Sequence, residues 1–278
     1  MENPKFIDFF VQEENIVTAQ DKEITVLHVN IADDEEILNQ WAEYLRDNYC
    51  SLADLDMQRD GFGISRKDFL LNMKFPDPTD RLGPSTMSGD FSEILIASYI
   101  EYVLNYVVPK VRYKQKFNRN TSTQGSDLIG YKLNTVGQTN KKDEMIVIEV
   151  KARNSESAPD NVLQNAVNHS AKDLTRIGES LNASYQMLNY YGNSDQANLV
   201  KRFQNSVDRP YKRIFAAAAV CSDKAFSRDL LKTVDISTHP DKDVQLIAVH
   251  SPKFLEFIKQ MYVRAANVNC CLLYTSDA

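Results

Sequence analysis

The run MIVIEVKA, residues 145–152, is apolar enough for a buried strand, yet it carries Glu149 and Lys151. Burying an unpaired charge costs several kcal/mol, so near-continuous aliphatic strands seldom hold one. Two residues apart on a strand, these side chains point to one face. They are either an ion pair at the edge of a sheet, worth ~0–1 kcal/mol, or part of a site that needs a carboxylate and an ammonium together. Two more acids precede them. Asp127 opens the apolar run in QGSDLIGYK, where Gly125 and Ser126 equally suit a plain turn. Glu93 lies on the apolar stripe Ile96, Ala97, Ile100 and Leu104, and its spacing from Asp90 also fits a capping box.

The elements that must position these residues follow from pattern. KEITVLHVNI reads as a strand, and ADDEEILNQWAEYLRDNY as a helix with acids in its first turn and Ile37, Leu38, Trp41 and Leu45 on one face. Residues 50–84 are mixed in pattern, and the turn-rich FPDPTDRLGP that ends them reads as a linker or lobe boundary. SGDFSEILIASYIEYVLNYVV is a helix closed by Pro109. Two strands around Asp127 and Glu149 are joined by the polar turn TVGQTNKKDE. Helices are expected in NVLQNAVNHSAKDLTRI and LNASYQMLNYY, and strands in RIFAAAAVCS and VQLIAVHS. SPKFLEFIKQMYVRAA is a helix with Ser251 as cap and Pro252 at its first position. The expected class is α/β (α+β), a mixed central sheet flanked by helices.

A helical Glu, a strand Asp and then Glu-x-Lys on the following apolar strand resemble the PD-(D/E)XK nuclease superfamily, over roughly residues 88–175. The Asp is introduced by Gly-Ser rather than Pro, a departure from the full signature. The resemblance implies a restriction-endonuclease-like core with an N-terminal strand–helix extension. It implies Asp127, Glu149 and Glu93 as ligands of Mg²⁺ or Mn²⁺, and Lys151 as the catalytic lysine. The chemistry suits those types: hard cations take carboxylate oxygens, a bound metal lowers the pKa of a water, and a lysine stabilises charge on the phosphate. Within the superfamily, SGDFSEILIASYIEYVL, QGSDLIGY and VIEVKA are similar to the HamA-like nucleases of Hachiman anti-phage defence. That implies a DNA-cutting effector controlled by a HamB-like partner helicase. Two other readings stand beside it, a stand-alone restriction or repair nuclease and a non-catalytic binding module whose Glu149 and Lys151 are only an ion pair.

Charge is uneven along the chain. Residues 1–60 hold 15 Asp/Glu against 4 Lys/Arg, a balance of −11, and the rest hold 23 against 28, a balance of +5. Under the HamA-like resemblance the acidic N-terminal region, residues 1–84, would be a partner-docking surface or a guard against non-specific DNA binding, and 85–266 the nuclease domain. In PKVRYKQKF the cations Lys110, Arg112, Lys114 and Lys116 alternate with Val111, Tyr113, Gln115 and Phe117. As a strand this would show one basic face to a DNA backbone, or simply to solvent. Gln164 and Lys172, expected on one helix, are candidate auxiliary DNA contacts, and His169 on that helix is within possible reach of the site. The four histidines show no ligand spacing, and the four cysteines make no zinc cluster. With no signal peptide and no membrane span, the expected address is the cytoplasm. CLLYTSDA, residues 271–278, is what an in-frame sequencing adapter would encode, and is expected to be a processing scar.

Overall fold

The computed structural model describes residues 3–114 and 116–268; the expected scar at 271–278 lies outside them. Its centre is a seven-stranded mixed sheet. Strands β1 (Phe10–Gln12), β2 (Ile16–Val17) and β3 (Glu23–Val29) come first, and β4 (Leu128–Lys132), β5 (Glu144–Arg153), β6 (Lys212–Ser222) and β7 (Gln245–Ser251) follow. Spatial order is β1-β3-β7-β6-β5-β4, with β2 also pairing β3. β3, β7, β6 and β5 run parallel, while β4 and β1 close the two sides antiparallel. Parallel strands are covered on both faces, which is why β5 to β7 read as unbroken apolar runs.

On one face lie α1 (Glu35–Tyr49), α2 (Leu52–Arg59), α3 (Arg66–Phe69), α4 (Gly83–Tyr102) and α9 (Phe254–Asn267). They share a core around Trp41, Phe91, Ile148 and Phe254. On the other face α5 (Val162–Ser170), α6 (Asp173–Tyr190), α7 (Ser194–Phe203) and α8 (Arg228–Lys232) cover Val147, Ala217 and Ala248. The alanines of β6, Ala216–Ala219, are buried on both sides and let helices approach closely.

Several expectations need correcting. Residues 50–74, which pattern leaves unassigned, form short helices, and Phe75 at the head of the expected linker joins Leu55, Phe69 and Leu70 in the core that holds α4. α4 begins at Gly83, with Pro84 in its first turn, and ends at Tyr102 rather than running on to Pro109. α9 starts at Phe254 from Lys253 in a left-handed conformation; Ser251 ends β7 and donates to Val29 O instead of capping. The expected helix across residues 161–177 breaks at Ala171–Lys172, so Gln164 and Lys172 are not on one helix. Among the described residues no helix is long and apolar enough to cross a membrane.

Candidate active site

β5 brings Glu149 and Lys151 to the face covered by α5 and α6. Glu149 is 3 % exposed, and Lys151, more open to solvent, donates to its Oε1. His169, at the end of α5, places Nδ1 3.6 Å from the same oxygen. Burial, reinforced by the charge of Asp127, pushes the Glu149 carboxyl up to about 7, against the pull of Lys151.

Asp127 stands one residue before β4. Leu128 pairs with Ile148, so the register carried one step back sets Asp127 across from Glu149. Its Oδ2 accepts the Val150 N–H at 3.0 Å, which fixes it against the strand between Glu149 and Lys151. The approach depends on Gly125, at φ +96°, where an added Cβ would lie 2.9 Å from Ser180 Oγ on α6. Ser126 N donates to that hydroxyl at 3.0 Å. The Gly-Ser that replaces Pro thus serves close packing of the strand entry on α6.

Glu93 joins the group through Arg112. Its Oε2 accepts from Arg112 Nε at 2.9 Å and from the Tyr113 hydroxyl at 2.5 Å. Arg112 Nη2 donates to Asp127 Oδ1 at 2.9 Å, and Nη1 to Ser126 O. Burial pushes the Glu93 carboxyl up to about 8, with Arg112 opposing. The capping-box alternative fails because α4 starts seven residues before Asp90. Asp90 is itself buried in mid-helix and accepts from Tyr49 at 2.6 Å and Lys116 at 2.5 Å.

The basic strand is not formed: residues 110–114 are a turn. Lys110 lies over the Tyr44 ring at 3.9 Å, beside Glu101. Arg112 spans Glu93 and Asp127, Lys114 donates to Asp54 at 3.3 Å, and Lys116 to Asp90. The alternation satisfies carboxylates on three different elements, and leaving those acids desolvated and unpaired would cost more than a strand ladder returns. Gln164 is also directed elsewhere, with its amide bonded both ways to the backbone of Asp235. Lys172, at the start of α6, is exposed, and its ammonium has no partner among the described residues.

The structure adds one acid that the sequence pattern hid. Asp173, the first residue of α6, is fully buried; no well-formed hydrogen bond reaches either carboxylate oxygen among the described residues, and Ser126 is a donor close enough to act on it. Burial holds its carboxyl above the ordinary value, Ser126 opposes, and Asp127 adds to the rise. In sequence it is an ordinary acid in a helix's first turn. Asp127 faces Glu149 across β4 and β5 beside the Lys151 ammonium, and the buried Asp173 is near enough for its charge to act on Glu149. Carboxylate oxygens are the donor type a hard divalent cation takes.

Comparison with known proteins gives two results. A search of curated proteins returned no match. A family model described as HamA matches residues 4–265, nearly the whole chain.

Proposed function

The chain belongs to the HamA family of Hachiman defence-associated proteins, and from that premise we propose that it is a Mg²⁺- or Mn²⁺-dependent deoxyribonuclease of the PD-(D/E)XK type. The observation that carries this reading is the cross-strand placement of Asp127 against Glu149 and Lys151, with the buried carboxylate of Asp173 near enough for its charge to act on Glu149.

Asp127, Glu149 and Asp173 would hold the cation, which when bound neutralises phosphate charge and acidifies a water. Both oxygens of Asp127 already accept a hydrogen bond, Oδ2 from Val150 N–H and Oδ1 from Arg112, so each would offer a cation its remaining lone pair. Lys151 sits where an ammonium stabilises charge that develops on the scissile phosphate. Burial, helped by the charges of Lys151, Lys172 and Arg176, lowers the pKa of His169, whose ring beside Glu149 is a candidate proton-transfer group. Glu93 is a positioning residue that holds Arg112. With Lys110, Arg112, Lys114 and Lys116 committed to carboxylates or a ring, phosphate contact falls to Lys172 and Arg176 at the N-terminal end of α6, where the helix dipole also favours an anion.

The catalytic residues fall within 85–266 while β1 to β3 complete the same sheet, and the nuclease acts in the cytoplasm under a partner helicase. The exposed acids Asp33, Asp34 and Glu36 ahead of and within α1 suit docking of a basic partner. The test is cleavage of plasmid and linear DNA with Mg²⁺, Mn²⁺ or EDTA, alone and with the helicase. Metal-dependent cutting should fall at least ~10²-fold in Glu149→Ala and in Lys151→Ala. Absence of cutting under every condition, or cutting that survives both substitutions, would overturn the reading.

A further inference from the structure

His28, Asp223 and His250 are far apart in sequence and meet at the carboxyl ends of three adjacent parallel strands. His28 and His250 are register partners on β3 and β7, and Asp223 follows β6 directly. A potential metal-ligating atom from each lies within 4.8 Å of the others. We propose that these three side chains form a second metal site, of the zinc class, separate from the acid cluster on β5.

The chemistry is that of a transition-metal centre rather than of a hard cation. Two imidazoles and one carboxylate are a donor set Zn²⁺ takes, with the remaining position left for water. The ligands are already oriented. His250 is only 8 % exposed, and its ring is held between Phe226, stacked at 4.0 Å between centroids, and His28 at 4.8 Å. His250 Nδ1 lies 2.7 Å from Asp223 Oδ1, and His28 Nε2 lies 3.9 Å from Asp223 Oδ2.

Tautomer logic gives a second, independent sign. The hydrogen bond to Asp223 calls for a proton on His250 Nδ1, and His250 Nε2 is then buried with no hydrogen-bond partner. A metal on Nδ1 reverses this: the ring becomes the Nε2–H tautomer and needs an acceptor. Glu13 Oε2 is already 3.5 Å from Nε2. A carboxylate that receives the second N–H of a metal-bound imidazole is the recurrent outer-shell arrangement. Arg228, which also donates to Glu13 at 3.1 Å, balances its charge. Cys221, the register partner of His250 on β6, is not among the side chains whose ligand atoms converge here. Seated there, the ion would join the carboxyl ends of β3 and β7 and the turn after β6.

The test uses the untagged full chain stripped with chelator, then titrated with Zn²⁺ by calorimetry and with Co²⁺ by visible absorption. One high-affinity equivalent is expected, with ligand-field bands of a four- or five-coordinate N/O site and a rise in melting temperature. Glu149→Ala should leave it intact. His28→Gln and Asp223→Asn, at accessible positions, should each weaken it ~100-fold or more, and they stand in for His250→Ala should that buried change compromise folding. No stoichiometric uptake by the wild-type chain, or uptake unaltered by His28→Gln and Asp223→Asn, would overturn the site. Uptake lost only in Glu149→Ala would assign the zinc to the acid cluster and overturn it equally.

Discussion

Removing the Arg112 guanidinium would leave Glu93 and Asp127 desolvated without their shared partner. Breaking a buried pair from one side typically costs about 3–5 kcal/mol. Arg112→Ala is expected to lose that much in urea unfolding, and adding Glu93→Gln should recover part of it. A second expectation concerns pH. Glu149 at about 7 and Glu93 at about 8 both stand above their ordinary 4.5, so the folded chain binds these protons more tightly than the unfolded one. Their contribution is complete below about 4.5 and is lost as pH rises through 7 to 8. Metal-free protein should therefore melt several degrees lower at pH 8.5 than at pH 6, at roughly 2–4 °C per kcal/mol for a chain of this size. Glu149→Gln should flatten that slope in calorimetric scans; an unchanged slope would mean that Glu149 titrates as an ordinary carboxylate.

The start of α4 is fixed by close approach rather than by a cap. An added Cβ at Gly83 would lie 1.6 Å from the carbonyl oxygen of Asp77, a contact no rotamer relieves. Gly83→Ala should lower stability by at least ~1–3 kcal/mol, whereas Gly89→Ala on the same helix, with open space around its Cβ, should be neutral or slightly stabilising. Thermal melts of the pair check this. The same helix shows why part of the architecture was legible in sequence and part was not. β5, β6 and β7 announce themselves because strands buried on both faces are largely apolar, and β3 because Ile24, Val26, Leu27 and Val29 must be buried. The opening of α4 did not, because Gly83-Pro84-Ser85 carries the signature of a turn. The basic segment misled for a related reason: its alternation is genuine, but each cation answers a carboxylate from another element, which no local window contains. Glu93, Asp127, Glu149 and Lys151 could be singled out because they are charges in apolar settings. Asp173 could not, since an acid in a helix's first turn is ordinary until the fold removes its water. His28, Asp223 and His250 depend wholly on strand order.

The sheet crosses the expected boundary at residue 84, since β3 lies against β7 and Trp41 packs on Phe91 and Phe257. Deleting residues 1–30 would strip β1 to β3 from the sheet and turn β7 into an exposed apolar edge. Such a deletion should partition into the insoluble fraction, while charge reversal at Asp33 and Glu36 should leave solubility intact and probe docking cleanly. Recovery of the truncated chain as a soluble monomer would contradict this.

β3 and β7 are partners in space and 222 residues apart along the chain. During synthesis, at roughly 5–20 residues per second, β3 emerges early and has only the short β1 and β2 to pair with until residue 251 has left the ribosome. For some 10–50 s its apolar face has no sheet to join, and the loop to be closed is long. The strand that bears Glu149 and Lys151 is in turn completed by β6, which also arrives late. The nascent chain is thus aggregation-prone and unable to present a finished site for most of its synthesis, and it passes out of both conditions nearly together.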